Sequence, residues 1–313
     1  MYKIKQKPED FIVREISIVK PEQQGKYTYF LLKKKSYNTV RAIEHIAKVL
    51  KINPKKIGFA GNKDKIAITE QVCSVLGGNK ERLEKVNLQD LEIKYLGKGN
   101  EPISLGDLEG NEFEIIVRNI EGKPEAKNEF VNYFGEQRFG KINVPIGKAI
   151  VKKDFKEAVK LLLSNKGPEE IKVRDYNHKN PTNYVGALKV LPLKILKLYI
   201  HSYQSWIWNK VVEKIEKKGE LPLVGFGTIV DNTVLADFLA EENLKPRDFI
   251  IKAIPELSAE GDTRKIITKV KDLKIEEPEE DEMNPGQKKV KIKFKLPPGS
   301  YATEFIRQLF QNL

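Results

Sequence analysis

A chain of 313 residues that is 40% hydrophobic and 32% charged is globular and long enough for two cores. Its single cysteine, Cys73, excludes a disulfide framework and a cysteine-rich zinc site, and the well-separated His45, His178 and His201 offer no ligand spacing, so no metal is expected. The net charge of +12 favours a polyanion as partner, although lysine and glutamate enrichment also serves heat-adapted proteins.

The opening "MYKIKQKPEDF" carries no apolar stretch, and no run approaches transmembrane length, so a soluble, cytoplasmic chain without a membrane anchor is expected. "DFIVREISIV" (Asp10–Val19) and "KYTYFLLKKK" (Lys26–Lys35) are rich in β-branched and aromatic residues and read as a hairpin with a long turn. Asn38 suits the cap of a helix that places Val40, Ile43, Ile46, Ala47 and Leu50 on one face and ends before Pro54. "KIGFAG" reads as a short strand entering a glycine turn, and "AITEQVCSVL" as the strand leaving it, so Asp64 falls on a loop between two ordered strands.

"NEFEIIVRNI" (Asn111–Ile120) is a further strand, and Pro124 to Phe134 reads as a helix ending in "NYFGEQRFG". Asp154–Leu163 and Leu196–Lys218 have helical spacing; in the second, Tyr203 and Trp206 share a face and read as core. Glu276–Gln287, acidic and turn-rich, reads as a solvated loop. "KVKIKFKL" then alternates as a half-exposed strand does, and "SYATEFIRQLF" closes the chain as a helix. Strands at both ends and helices between them imply an α+β fold: a mixed, mainly antiparallel sheet with flanking helices, interrupted by an inserted, mainly helical domain. The expected boundaries are 1–148, 149–261 for the insert, and 262–313.

The stretch "GFAGNKDKIAITEQ" (Gly58–Gln71) puts one carboxylate between two lysines. A phosphate-binding loop would need G-x-x-x-x-G-K-[ST]; here two residues separate Gly58 from Gly61, and Asp64 would repel phosphate. A guanine-reading Asn-Lys-x-Asp motif fails because Asn62, Lys63 and Asp64 are contiguous. A tight turn with its charges in water stays open on these residues alone.

"PEDFIVREI" (Pro8–Ile16), "GFAGNKDKIAITEQ", "NYFGEQRFG" (Asn132–Gly140), "SYQSWIWN" (Ser202–Asn209) and "LPPGSYATEFIRQL" (Leu296–Leu309), in this order, resemble the TruD family of pseudouridine synthases. The second and third blocks together are the most specific. The resemblance implies a pseudouridine-synthase-type catalytic domain with an inserted TRUD domain, and an isomerase that converts uridine to pseudouridine in tRNA, in most members at position 13 of the D arm. No cofactor is implied, because no electrons or groups enter or leave. A monomer is expected.

By the same resemblance Asp64 is the catalytic aspartate. It could attack the sugar, add to the base or remove the ribose 2′ proton, and the sequence does not choose among these. A carboxylate shielded from water needs a cationic partner that favours its charged form. Lys63 and Lys65 would point away from Asp64 on an extended loop, and the family match points to Lys5 instead. Phe134 resembles the aromatic that stacks on the flipped uracil, and Asn132 the side chain that orients base or aspartate. On pattern alone Phe134 reads as core. Tyr301 is implied as a second wall of the base pocket, with a packed turn aromatic as the other reading of it, Lys63 and Lys65 as RNA-facing or loop-bracing charges, and Arg138 as a bidentate holder of phosphate or a carboxylate. Gly58 and Gly61 are expected to let the loop turn tightly, while Glu9 and Asp10 fix the first turn. The competing reading is a non-catalytic basic RNA-binding or RNA-remodelling protein, which would gain little from a desolvated carboxylate. The chain is shorter than many family members, which points to a reduced insert.

Overall fold

In the computed structural model, which describes residues 1–165 and 167–311, the chain forms two compact units, residues 1–130 with 268–313, and residues 131–267. Among the described residues no helix is long and apolar enough to cross a membrane.

The first unit begins with a short 3-10 turn, Pro8–Asp10, followed by β1 (Phe11–Ser17) and β2 (Tyr27–Lys35). Helix α1 (Thr39–Leu50) starts where the Asn38 side chain accepts from the N–H groups of Val40 and Arg41, and ends where Lys51 turns into the left-handed region, φ 54°. There follow β3 (Ile57–Phe59), β4 (Ile68–Leu76), α2 (Lys80–Glu84), β5 (Leu91–Gly99) and β6 (Leu108–Ile120). The short β7 (Glu129–Val131) leads out of the unit.

The second unit is mainly helical. It contains α3 (Asn143–Val151), α4 (Phe155–Leu163), α5 (Pro168–Lys179), α6 (Tyr184–Lys189), α7 (Leu193–Lys214) and α8 (Thr233–Glu241). β8 (Glu220–Leu223) and β9 (Asp262–Lys265) pair antiparallel as a ribbon. The long α7 is its spine, burying Tyr203, Ile207, Trp208 and Val211. Gly147 of α3 lies so close to α7 that a Cβ would meet the Tyr199 carbonyl oxygen at 2.1 Å, so only glycine permits this crossing.

β10 (Ile267–Lys269) returns the chain, and β11 (Lys271–Ile275), β12 (Glu279–Glu280), β13 (Lys288–Leu296) and α9 (Ala302–Leu309) complete the first unit. Its sheet runs β11-β13-β6-β1-β4-β2-β5, with β12 also on β13 and β3 also on β4. Every pairing is antiparallel except β1 with β4. One core lies between α9 and the faces of β1, β6 and β13, around Phe11, Phe113, Phe294 and Phe305. A second lies under α1, around Phe30, Leu32, Ile46 and Cys73.

The α+β reading holds: a mixed, mainly antiparallel sheet draws strands from both ends of the chain. Three local expectations do not. β1 and β2 form no hairpin, because β4 lies between them. The expected helix over Pro124–Phe134 is absent, since Phe130, Asn132 and Phe134 bury in alternation, the period of an extended chain, and Glu129–Val131 is a strand. Glu276–Gln287 is not a solvated loop: β12 pairs with β13, and Asp281 and Asn284 are buried.

Candidate active site

Residues 60–67 connect β3 to β4 and carry Asp64. The strands flanking this loop fix its ends on one edge of β4, where β1 pairs with Ile68–Glu70 and β3 with Cys73–Val75. Between these two ladders the N–H of Val72 donates to Oε1 of Glu15 at 3.1 Å, so a buried carboxylate closes the gap in the sheet's hydrogen bonding.

Glu15 in turn holds Lys63. The Lys63 ammonium is 2.8 Å from Glu15 Oε2 and donates to Asn111 Oδ1 at 2.7 Å, with both charged side chains almost fully buried. Of the two roles expected of Lys63, facing RNA or bracing the loop, its buried contacts to Glu15 and Asn111 fit the second. Lys65 is exposed.

Asp64 turns the other way. Its Oδ1 lies 3.0 Å from the Lys5 ammonium, the carboxylate side chain is 33% exposed, and among the described residues Oδ2 accepts no hydrogen bond. Lys5 reaches this position from a left-handed backbone, φ 58°, and its ammonium stands 4.1 Å from the centroid of the Phe11 ring. One carboxylate oxygen is thus neutralised and fixed, and the other is open to a ligand.

The glycines act differently from the expectation. Gly58 lies within β3, where a Cβ would meet the Ile103 carbonyl oxygen at 2.2 Å, so it serves close backbone approach rather than a turn. Gly61 has open space around it and no left-handed φ. No local geometry demands a glycine there. Tyr301 immediately precedes α9, half-buried, and its carbonyl accepts from the Glu304 N–H.

The remaining sequence candidates belong to the second unit. Phe134 is buried, with the Arg264 guanidinium 4.0 Å above its ring and Trp208 edge-on at 5.7 Å. Asn132 is buried too: its Oδ1 accepts from Arg264 Nη2 at 2.8 Å and its carbonyl from Arg264 Nε at 3.0 Å. Arg138 lies 5.9 Å from the Phe134 centroid and donates to Ser205 Oγ at 3.3 Å. Arg264 organises Asn132 and Phe134 together, and Glu15 organises Lys63; sequence reading found neither. Glu15 did leave a signal, because it continues the inward alternation of Phe11 and Val13.

The mixed, mainly antiparallel sheet and the mainly helical stretch within the chain make this an α+β protein. The family whose description is tRNA pseudouridine synthase D (TruD) matches residues 2–176, 170–230 and 218–309, and the chain belongs to it. It is 31% identical to "tRNA pseudouridine synthase D" of Aquifex aeolicus, over 98% of each chain. It is 32% identical to "Probable tRNA pseudouridine synthase D" of Nanoarchaeum equitans, again over 98% of each. The crystal structure of the "Putative tRNA pseudouridine synthase D (TruD)" from Methanosarcina mazei superposes with a TM-score of 0.75 at 28% identity, covering 99% of this chain and 93% of that one.

Proposed function

We propose that this protein isomerises a uridine of tRNA to pseudouridine, at position 13 of the D arm, with Asp64 as the catalytic carboxylate. The observation that carries the reading is the Lys5–Asp64 pair: a carboxylate with one oxygen held at 3.0 Å by an ammonium and the other open, on a loop anchored at both ends. The names of the relatives supply the reaction class.

The chemistry suits a single carboxylate. The bond from N1 of uracil to ribose C1′ breaks, the base turns, a bond from C5 to C1′ forms, and the proton lost from C5 is matched by one taken up at N1. Nothing is gained or lost overall. A carboxylate near the flipped nucleotide serves as nucleophile or base, and the nearby ammonium balances its charge while water is excluded. Extruding the base costs a few kcal/mol, offset by stacking and edge hydrogen bonds.

Phe134, whose ring centroid is 4.0 Å from the Arg264 guanidinium carbon, is proposed as the stacking aromatic on the strength of the family motif in which it stands. Asn132, whose side chain is organised by the same arginine, is proposed to orient the base, and Tyr301 to wall its pocket. Lys65 and Arg138 are proposed to meet RNA phosphates, and the insert to grip the tRNA body. Pseudouridine mapping of tRNA incubated with wild type and with Asp64→Asn tests the reading. Conversion by wild type and none by the variant is expected; undiminished conversion by the variant would remove Asp64 from the mechanism, and no conversion by wild type on any tRNA would overturn the function.

A further inference from the structure

The core face of β2 reads Phe30, Leu32, Lys34, so the third position under α1 is a lysine that is 0% exposed. The register with β4 pairs Phe30 with Cys73, Leu32 with Gln71 and Lys34 with Thr69, so the core face turns polar at the end where β4 leaves the Asp64 loop. The Lys34 ammonium donates to the carbonyl of Tyr37 at 2.6 Å and to that of Asp64 at 2.8 Å. Thr39, the first residue of α1, accepts from the Lys63 N–H at 3.0 Å and donates to Gln71 Oε1 at 3.2 Å. Gln71 Nε2 then donates to the carbonyl of Gly61 at 3.0 Å. Three buried side chains from two strands and a helix therefore hold the loop backbone at Gly61, Lys63 and Asp64.

Such a lysine is expensive to keep. Burial pushes its ammonium down to about 8, a fall that the Asp64 charge opposes and the Lys63 charge adds to. An apolar side chain would continue the Phe30–Leu32 face without desolvating a charge, so packing does not account for Lys34. What accounts for it is the pair of backbone carbonyls it joins, one just before the α1 cap and the other on Asp64 itself.

We propose that Lys34 is a positioning residue for the Asp64 carboxylate, its buried ammonium tying the backbone of the Asp64 loop to the start of α1, with Thr39 and Gln71 completing the hold. This rests on the reading of Asp64 as the reacting group. Without the ammonium the loop keeps its ends and its hold at Gly61 and Lys63 but loses the tie on the Asp64 backbone itself, and a reacting group displaced by about 1 Å costs roughly 10²-fold in rate.

Steady-state kinetics on tRNA, with thermal unfolding of the same preparations, test it. Lys34→Met is expected to lose roughly 10²-fold in kcat with KM for tRNA within about twofold, because tRNA binding does not pass through the loop backbone. Thr39→Val is expected to lose a smaller factor, again in kcat alone. A folded Lys34→Met protein with wild-type kcat, or one whose loss lies in KM, overturns the proposal. Should Lys34→Met not fold, Thr39→Val decides, and an unchanged kcat there overturns it equally. Asp64→Asn run alongside separates the two readings: full activity in that variant removes the catalytic role of Asp64, whereas an inactive Asp64→Asn beside a fully active Lys34→Met removes only the role of Lys34.

Discussion

Arg118 and Asp64 are both charged side chains paired to opposite charges in the first unit, yet their surroundings are built on opposite terms. Arg118 is sealed: its Nε and Nη2 donate to Asp10 at 2.9–3.0 Å and its Nη1 to Asp281 at 2.8 Å, with all three side chains at 0% exposure. Their remaining valences are filled as well, Asp10 accepting from the Lys7 N–H and Asp281 from the N–H groups of Asn119 and Met283 and from the Asn284 amide. Asp64 has one such contact and an open oxygen. A cluster whose guanidinium and two buried carboxylates are each held by several bonds, with the half-exposed Glu282 carboxylate 3.1 Å from Arg118 Nη2 at its rim, locks the N-terminal turn, β6 and the 281–284 segment together, whereas the Asp64 carboxylate is held on one oxygen only.

Breaking the open site should cost activity, and breaking the sealed one should cost stability. Asp64→Asn is expected to lower turnover on the order of 10³-fold or more, with an unchanged thermal midpoint. Single-turnover pseudouridine formation beside calorimetry would show it, and a large fall in midpoint would mean that the two sites do not divide the labour. Arg118→Met leaves two carboxylates buried without their cation and is expected to cost about 3–5 kcal/mol in denaturant unfolding. Its folded fraction should keep wild-type kcat. If the variant is as stable as wild type, the cluster is not what closes the unit.

Lys5→Met probes the single contact that the two sites have in common, a cation on a carboxylate. Here the carboxylate is partly exposed, so water compensates, and stability should change by about 1 kcal/mol or less. Turnover should still fall on the order of tenfold, because charge balance and orientation at the reacting oxygen are lost together. Equal losses of stability from Lys5→Met and Arg118→Met would erase the distinction between an open and a sealed pair.

Elements set by neighbouring residues were legible in the sequence. The Asn38 cap, the alternation of β13 and four of the five residues of the α1 face, Ile43, Ile46, Ala47 and Leu50, appear in the structure as read, while Val40 is exposed and Thr39 and Ala42 are buried beside the four. What failed was partner choice. Nothing local in Asp10–Lys35 says that β4 will enter between two strands of suitable character, and nothing in Glu276–Gln287 says that an arginine 163 residues away from Asp281 will need its carboxylate. In the candidate site, spacing alone could not pair Lys5 with Asp64, 59 residues apart; the pair came from the family resemblance, and the distance is 3.0 Å. Lys34 and Glu15 were visible in principle, each the next inward position after two apolar ones, but a charge at the end of a strand reads as solvent-facing unless the alternation is allowed to outweigh it.

The smallest expected effect is the most discriminating for Lys34, because its sign is unusual. An unfolded lysine keeps its proton to 10.5, and Lys34 in the folded protein keeps it only to about 8. Between these values the unfolded chain binds more protons, so this group adds stability as pH rises through that window, and its penalty is fully present below it. A lysine gaining a salt-bridge partner does the reverse. The charges that face Lys34 are Asp64, which holds the proton on, and Lys63, whose own charge is balanced by Glu15. Lys34→Met removes the titration and leaves those neighbours in place, so wild type should gain thermal midpoint relative to the variant from pH 8 to 10. Turnover should move the other way, since the neutral amine donates more weakly to the Asp64 carbonyl, and the wild-type rate advantage over the variant should shrink across the same window. Midpoint and rate rising or falling together would mean that the ammonium serves only the fold; their divergence is what a charge kept for the position of a catalytic loop, and against stability, requires.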